Sequence, residues 1–488
     1  MIQETEAAVE LETAMSAAAD AAPALVNSRP GDRATWLRAI ADRLDGDAEA
    51  LVAVAARESR LTEQRLRGEL VRTTFQLRLF SRVVEDGGYL DAIVDHADAD
   101  WPMGARPDLR RMLRPLGPAA VYAASNFPFA FSVAGGDTAA AIAAGAPVVV
   151  KAHSAHPELS RAVAVHLHEA LAAAGAPRGA FALVEGREAG LALVLDPRLT
   201  VATFTGSLAG GRALFDLAAS RPEPIPFYGE LGSVNPVFVT GAAAAARGRE
   251  IAAGFAASLT LGVGQFCTKP GVLFVPAGSS FADEVVEAVR GTSGGPMLTD
   301  AIRGGYFASL APLAERDDVE LLIGSPAEAQ EPVPTIYGTD ATTFLAHADE
   351  LLEEHFGPAA VLVRYGSADE LLAAARALPG QLTATVQGVD GDPVGPLLEL
   401  LAGRAGRVLW NGWPTGVSVT YAQQHGGPYP ATTAPHFTSV GTASIARFLR
   451  PVAYQDTPDV LLPPALQEAN PWSVPRLVDG VRTPGQPA

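Results

Sequence analysis

Cys267 is the only cysteine in 488 residues, and it stands in Gly-Val-Gly-Gln-Phe-Cys-Thr-Lys-Pro-Gly (262–271), among glycines and a proline rather than apolar packing. The thiolate is the reactive form of cysteine, and free backbone amides, helix ends and nearby cations favour it. Lys269 follows two residues on. The placement suits a nucleophile, ionised and open at the mouth of a pocket, better than a small core hydrophobe. The bland alternative is an inert loop thiol.

Two further groups suit carbonyl chemistry. Glu230, in Gly-Glu-Leu-Gly-Ser-Val-Asn-Pro (229–236), ends an apolar run where a strand would deliver it into a crevice. A carboxylate there can serve as a general base; otherwise it is an ordinary strand-end glutamate. Asn126 precedes Phe-Pro in YAASNFPFAF (122–131). Its amide can donate to a developing oxyanion, or simply form a turn. In VATFTGSLAGGRAL (201–214) a strand, a Gly206-Ser207 turn and a helix start follow one another, which offers amides to a phosphate. It matches neither G-x-G-x-x-G nor a Walker loop. The histidines, His153 and His156 among them, form no recognisable ligand set, and no second cysteine completes a zinc site. No metal is expected.

The elements that must hold these groups are legible as rhythm. Residues 33–86 space apolar positions three and four apart, as amphipathic helices do. Residues 95–117 are polar and broken by prolines, and read as irregular or edge strand. From there, short runs such as AAVYAAS, PVVVK, AFALVEG and VATFTGS alternate with helical stretches. That is the signature of a parallel sheet covered by helices. A second alternating block follows the cysteine, and the tail from 425 is rich in Pro, Thr and Gly, suiting an extended arm.

Composition narrows the class. Hydrophobic residues make 48% and charged residues 18%, a globular balance. The net charge of −18 argues against nucleic acid or an anionic membrane as partner, and means an acidic substrate needs a local cationic pocket. No apolar stretch reaches membrane-spanning length, the first residues lack a secretory pattern, and a lone thiol suits a reducing cytoplasm.

The order of the pieces is more specific than any one of them. Asn before Phe-Pro, Lys after a valine run, Phe-Thr-Gly-Ser, Glu-Leu-Gly, Gly-Gln-x-Cys and Glu-x-Phe-Gly-Pro together resemble the aldehyde dehydrogenase superfamily, over nearly the whole chain. The resemblance implies an α/β fold: a Rossmann-type dinucleotide-binding domain (1–86 and 109–232), an α/β catalytic domain (233–424) and a small β oligomerisation arm (87–108 and 425–488), assembled as a homodimer or homotetramer. It implies that Cys267 attacks an aldehyde, that Asn126 and the Cys267 amide hold the oxyanion, and that Glu230 activates water against the thioester. Lys151 and Ser207 with Gly206 would contact the cofactor's ribose and pyrophosphate, and Leu231, Glu354 and Phe356 its nicotinamide end.

The family's Lys-Pro-x-Glu is here Lys-Ala-His-Ser, so Ser154 replaces a ribose-binding carboxylate, and Arg187 can face a 2′-phosphate. NADP is therefore expected, with NAD as the alternative. NFPFAFSVAGGDTA, KAHSAHP, GQFCTKPG and QQHGGPYPATT resemble the branch that oxidises 2-oxoglutarate semialdehyde. Ala134 and Gly135 stand where the succinate-semialdehyde branch carries Arg-Lys. Phe127, Phe131 and Phe266 would line the substrate pocket, which keeps fatty aldehydes as an alternative. Lys269 and the HGGPYP loop are the candidates for a substrate-carboxylate clamp. A cysteine hydrolase is the rival class, disfavoured because such enzymes pair cysteine with histidine whereas the matching partner here is a glutamate, and because a whole domain carries dinucleotide-like patterning.

Overall fold

In the computed structural model, residues 2–325 and 331–485 are described. Five strands, Ala119–Tyr122, Val148–Lys151, Phe181–Val184, Val201–Thr205 and Phe227–Glu230, alternate with helices and pair in parallel. Their spatial order is third, second, first, fourth, fifth. Crossovers thus leave the first strand in opposite directions, and that reversal opens a crevice at the carboxyl ends of the strands. The strand residues are Ala and Val runs buried on both faces, as a helix-covered parallel sheet requires. Register sets Tyr122 beside Lys151 and Phe204, and Thr205 beside Glu230. The candidate residues emerge together at this edge.

A second sheet has seven strands, with Val272–Pro276 at its centre. Only its edge strand Glu320–Ile323 runs antiparallel. The Cys267 loop joins the helix Gly241–Thr260 to the central strand. There the backbone turns left-handed three times in succession, at Gly262, Val263 and Gly264. A Cβ on Gly264 would run into the Gly357 carbonyl, so this position admits only glycine. Val263 is β-branched, and its φ of 58° stores strain of about 1–3 kcal/mol beside the nucleophile.

The third sheet orders Leu449–Gln455, Leu109–Pro115, Ala92–Asp95, Arg476–Val478 and Val481–Thr483. Two expectations change here. Leu109–Pro115 is paired on both sides rather than being an edge strand, and it extends the arm's first segment past residue 108. Residues 425–433 do not belong to the arm. Leu231 N–H donates to Ala431 O at 2.8 Å and Thr433 N–H to Gly229 O at 3.1 Å, which ties this stretch to the strand end that carries Glu230. No helix among the described residues is long and apolar enough to cross a membrane.

Candidate active site

The crevice at the edge of the first sheet is a cavity of about 470 Å³. Its walls include Asn126, Lys151, Gly206, Ser207, Leu231, Glu354 and Phe356, and Glu230 and Cys267 close its inner end. Three separate parts of the chain, spanning residues 126 to 267, thus converge, each delivered by a strand end or the loop before a strand.

Asn126 is buried, and its side-chain amide donates to Gln265 O at 3.1 Å, two residues before the cysteine. An amide nitrogen carries two hydrogens, so one remains for a ligand oxygen. Cys267 N–H donates to no backbone group among the described residues. Asn235 fixes the loop from below through its amide, which reaches Cys267 O at 2.9 Å and Lys269 O at 3.0 Å.

The thiol differs from expectation. Burial, and then the charges of Glu230 and Glu354, push Cys267 well above the usual thiol range, and Arg72 opposes them only weakly. At neutral pH it is a thiol that must hand its proton to a base, not a standing thiolate. Glu230 is that kind of neighbour. Burial works to raise its carboxyl, but His425, Ser439 and Cys267 outweigh burial and hold it below the usual carboxylate range. Ser439 donates to Oε2.

His425, fully buried, was not foreseen in this role. Its Nε2 points at Cys267 Sγ across 3.6 Å and lies 2.9 Å from Glu230 Oε1, off the hydrogen-bond axis. A glutamate rather than a histidine partner was one ground for disfavouring a hydrolase, and His425 removes it, while the dinucleotide-type sheet remains the other. A different one replaces it: His425 Nδ1 is buried without a partner, whereas a hydrolytic triad holds that nitrogen with a third group. The ligand atoms of Glu230, Cys267 and His425 lie within 4.8 Å of one another, close enough to hold a metal ion where none was expected. The signal available in sequence was the histidine of HGGPYP, read there as a clamp for substrate.

Lys269 is not a substrate clamp. Buried, it donates to Ala359 O at 2.7 Å and pairs electrostatically with Glu354. Burial lowers it to about 8 and raises Glu354 to about 7. On the cofactor side, Ser207 caps its helix by accepting from Gly210 N–H at 3.3 Å. Lys151 is half-buried in the wall, its pKa lowered by burial. Ser154 and Arg187 are exposed and stand three residues beyond the paired strand ends Lys151 and Val184, outside the crevice wall. His153 is in the wall instead. Burial, then His156 and Lys151, lower it to about 3, and its Nδ1 accepts from Ala155 N–H at 3.0 Å. The neutral ring therefore presents Nε2–H as a donor.

Phe127, Phe131 and Phe266 do not line this crevice. They pack in series, with Phe127 5.2 Å from Phe266 and 5.3 Å from Phe131 between ring centroids.

This combination defines a nucleotide-binding fold that presents a thiol, a carboxylate and an amide to one point, and the chain belongs to the aldehyde dehydrogenase family, whose model matches residues 2–429. It is 47% identical to alpha-ketoglutaric semialdehyde dehydrogenase 2 of Azospirillum brasilense, over 97% of this chain and 92% of that one. It is 41% identical to alpha-ketoglutaric semialdehyde dehydrogenase of Acinetobacter baylyi, over 97% and 91%. The fold matches 1-pyrroline-5-carboxylate dehydrogenase from Thermus with bound NAD, with a TM-score of 0.78, 22% identity and coverage of 92% and 85%. The protein is an oxidoreductase of the NAD(P)-using aldehyde dehydrogenase class, acting on a small-molecule aldehyde.

Proposed function

We propose that this protein oxidises 2-oxoglutarate semialdehyde to 2-oxoglutarate, with NADP preferred over NAD. The convergence of Cys267, Glu230 and Asn126 at the inner end of the crevice carries this reading, and the names of the 47% and 41% identical relatives support its substrate.

The thiol proton passes to Glu230 or to His425 Nε2 as sulfur bonds to the aldehyde carbon. The oxygen of the resulting thiohemiacetal takes its hydrogen bonds from the free N–H of Asn126 and the Cys267 amide. A nicotinamide bound in the crevice supplies the hydride acceptor. Loss of hydride leaves a thioester on Cys267. Glu230, once any proton taken from the thiol has left to solvent, removes a proton from water as the water oxygen bonds to the thioester carbon; the carbon–sulfur bond then breaks, the carboxylate leaves, and the sulfur is reprotonated to the thiol. Gly206, Ser207 and the helix start behind them would hold the pyrophosphate, Lys151 and His153 a ribose, and Glu354 and Phe356 the nicotinamide end. Ser154 leaves room for a 2′-phosphate and Arg187 would pair with it. Glu185, two residues before Arg187, is already engaged by Arg161 at 2.8 Å.

A cytoplasmic homodimer or homotetramer completes the reading. Val408 and Trp410 lie exposed on the edge strand Ala405–Trp410, and Val481 on the arm's outer strand, so both sheets offer unpaired apolar edges.

The test is reduced-nicotinamide absorbance with a panel of semialdehydes and alkyl aldehydes, each with NAD and NADP. Highest kcat/KM for 2-oxoglutarate semialdehyde with NADP is expected. Ester cleavage without nicotinamide reduction would instead indicate a hydrolase.

A further inference from the structure

The long helix Glu63–Asp86 turns one stripe, Arg65, Glu69 and Arg72, toward the turn that carries Asn126. Residues at i, i+4 and i+7 share a face. Arg65 Nη2 donates to Asn126 O at 2.7 Å, and Glu69 Oε1 accepts the amides of Phe129 and Ala130 at 2.8 and 3.0 Å. Each thereby positions the turn, although Arg65 Nη1 and Glu69 Oε2 stay buried without a partner among the described residues. Arg72 makes no hydrogen bond to the turn among the described residues. Half-buried, it lies with its guanidinium carbon 5.2 Å from the Phe131 ring, and its one hydrogen bond among the described residues is a long one, 3.4 Å to Val417 O. It has no carboxylate within 4 Å among the described residues, where surface arginines of this chain commonly do.

The aromatic series runs from the nucleophile to this cation. Phe266 adjoins Cys267, Phe127 follows, and Phe131 lies under Arg72. Arg65 is interleaved, 4.8 Å over Phe266 and 5.2 Å over Phe127. Three successive ring and cation contacts of 5.2, 5.3 and 5.2 Å therefore link Phe266, the residue before the nucleophile, to Arg72. A wall of rings alone would suit an alkyl chain. With a half-buried guanidinium at its end, an alkyl chain would cover N–H donors other than the one given to Val417 O and pair none of them, which is costly.

We propose that Arg72 binds the remote carboxylate of the substrate, making this a site for short ω-oxo acids rather than fatty aldehydes. This rests on the aldehyde-oxidising reading above and names the anchor it lacked. The planar fork donates to both carboxylate oxygens, and the rings beneath hold the intervening methylenes.

The test compares Arg72→Gln and Arg72→Lys with the wild type on 2-oxoglutarate semialdehyde and on pentanal, and measures glutarate binding by calorimetry. For Arg72→Gln the ratio of kcat/KM between the acid and pentanal should fall on the order of 100-fold, mainly through KM. Glutarate should weaken similarly, and Arg72→Lys should restore part of both. An unchanged ratio, or equal losses on both substrates with glutarate binding intact, overturns the proposal. Calorimetry needs no turnover, so it decides on Arg72 even if the wild type oxidises neither aldehyde, an outcome that would sink the proposed reaction instead. Circular dichroism separates misfolding of Arg72→Gln, in which case Arg72→Lys and wild-type discrimination between glutarate and pentanoate carry the test.

Discussion

His425 directs Nε2 at the sulfur of Cys267 while its other ring nitrogen has no partner, so the imidazole serves the thiol and Glu230 without a third group to steer it. His425 is also the main influence offsetting burial at Glu230. In His425→Gln the Glu230 carboxyl should therefore rise. Glu230 must be ionised to act as base, so the acid limb of the kcat–pH profile should move to higher pH, and kcat at neutral pH should fall about 100-fold. Steady-state rates across pH 5–9 check the shift.

Glu230→Gln separates the two halves of the reaction. With His425 still beside the sulfur, acylation should persist while hydrolysis slows about 10²- to 10⁴-fold. Rapid mixing should show a burst of one reduced nicotinamide per site, and intact mass spectrometry an acyl adduct on Cys267.

Ser154→Glu returns a carboxylate to the cofactor edge. Repulsion of a 2′-phosphate should lower kcat/KM for NADP at least tenfold, about 1.4 kcal/mol, with NAD retained. Arg187→Ala should move preference the same way. Parallel titrations with both cofactors measure it.

Gly264→Ala places a methyl against the Gly357 carbonyl at a φ of 68°. A loss of about 2–4 kcal/mol is expected, visible as a lowered Tm, together with a drop in activity because the same loop presents Cys267.

Cys267, Glu230 and Asn126 were legible in the sequence as candidates because each ends a strand or lies in a loop beside one, and the alternation of strands and helices was plain. What the sequence concealed was direction. Lys269 is two residues from Cys267 yet turns under Glu354, while His425, 158 residues away, faces the sulfur. Arg72 lies on a helix whose pattern explains its burial but not what it overlooks. Ser154 was chosen by position in a motif, whereas His153, one residue earlier, faces the crevice. The arm was drawn too short at 108 and too long at 425, since neither pairing partner is encoded locally.

The stretch from 425 to 448 runs from the thiol, past Thr432 and Ser439 at Glu230, into the short helix Thr442–Phe448 and then directly into the arm strand Leu449–Gln455. One covalent ribbon thus braces both proton-accepting groups and leads on into the sheet of Leu449–Gln455. Slack introduced anywhere along it would be transmitted to the imidazole and the carboxylate together, so loosening that distant strand should quiet the enzyme without altering a single reacting residue.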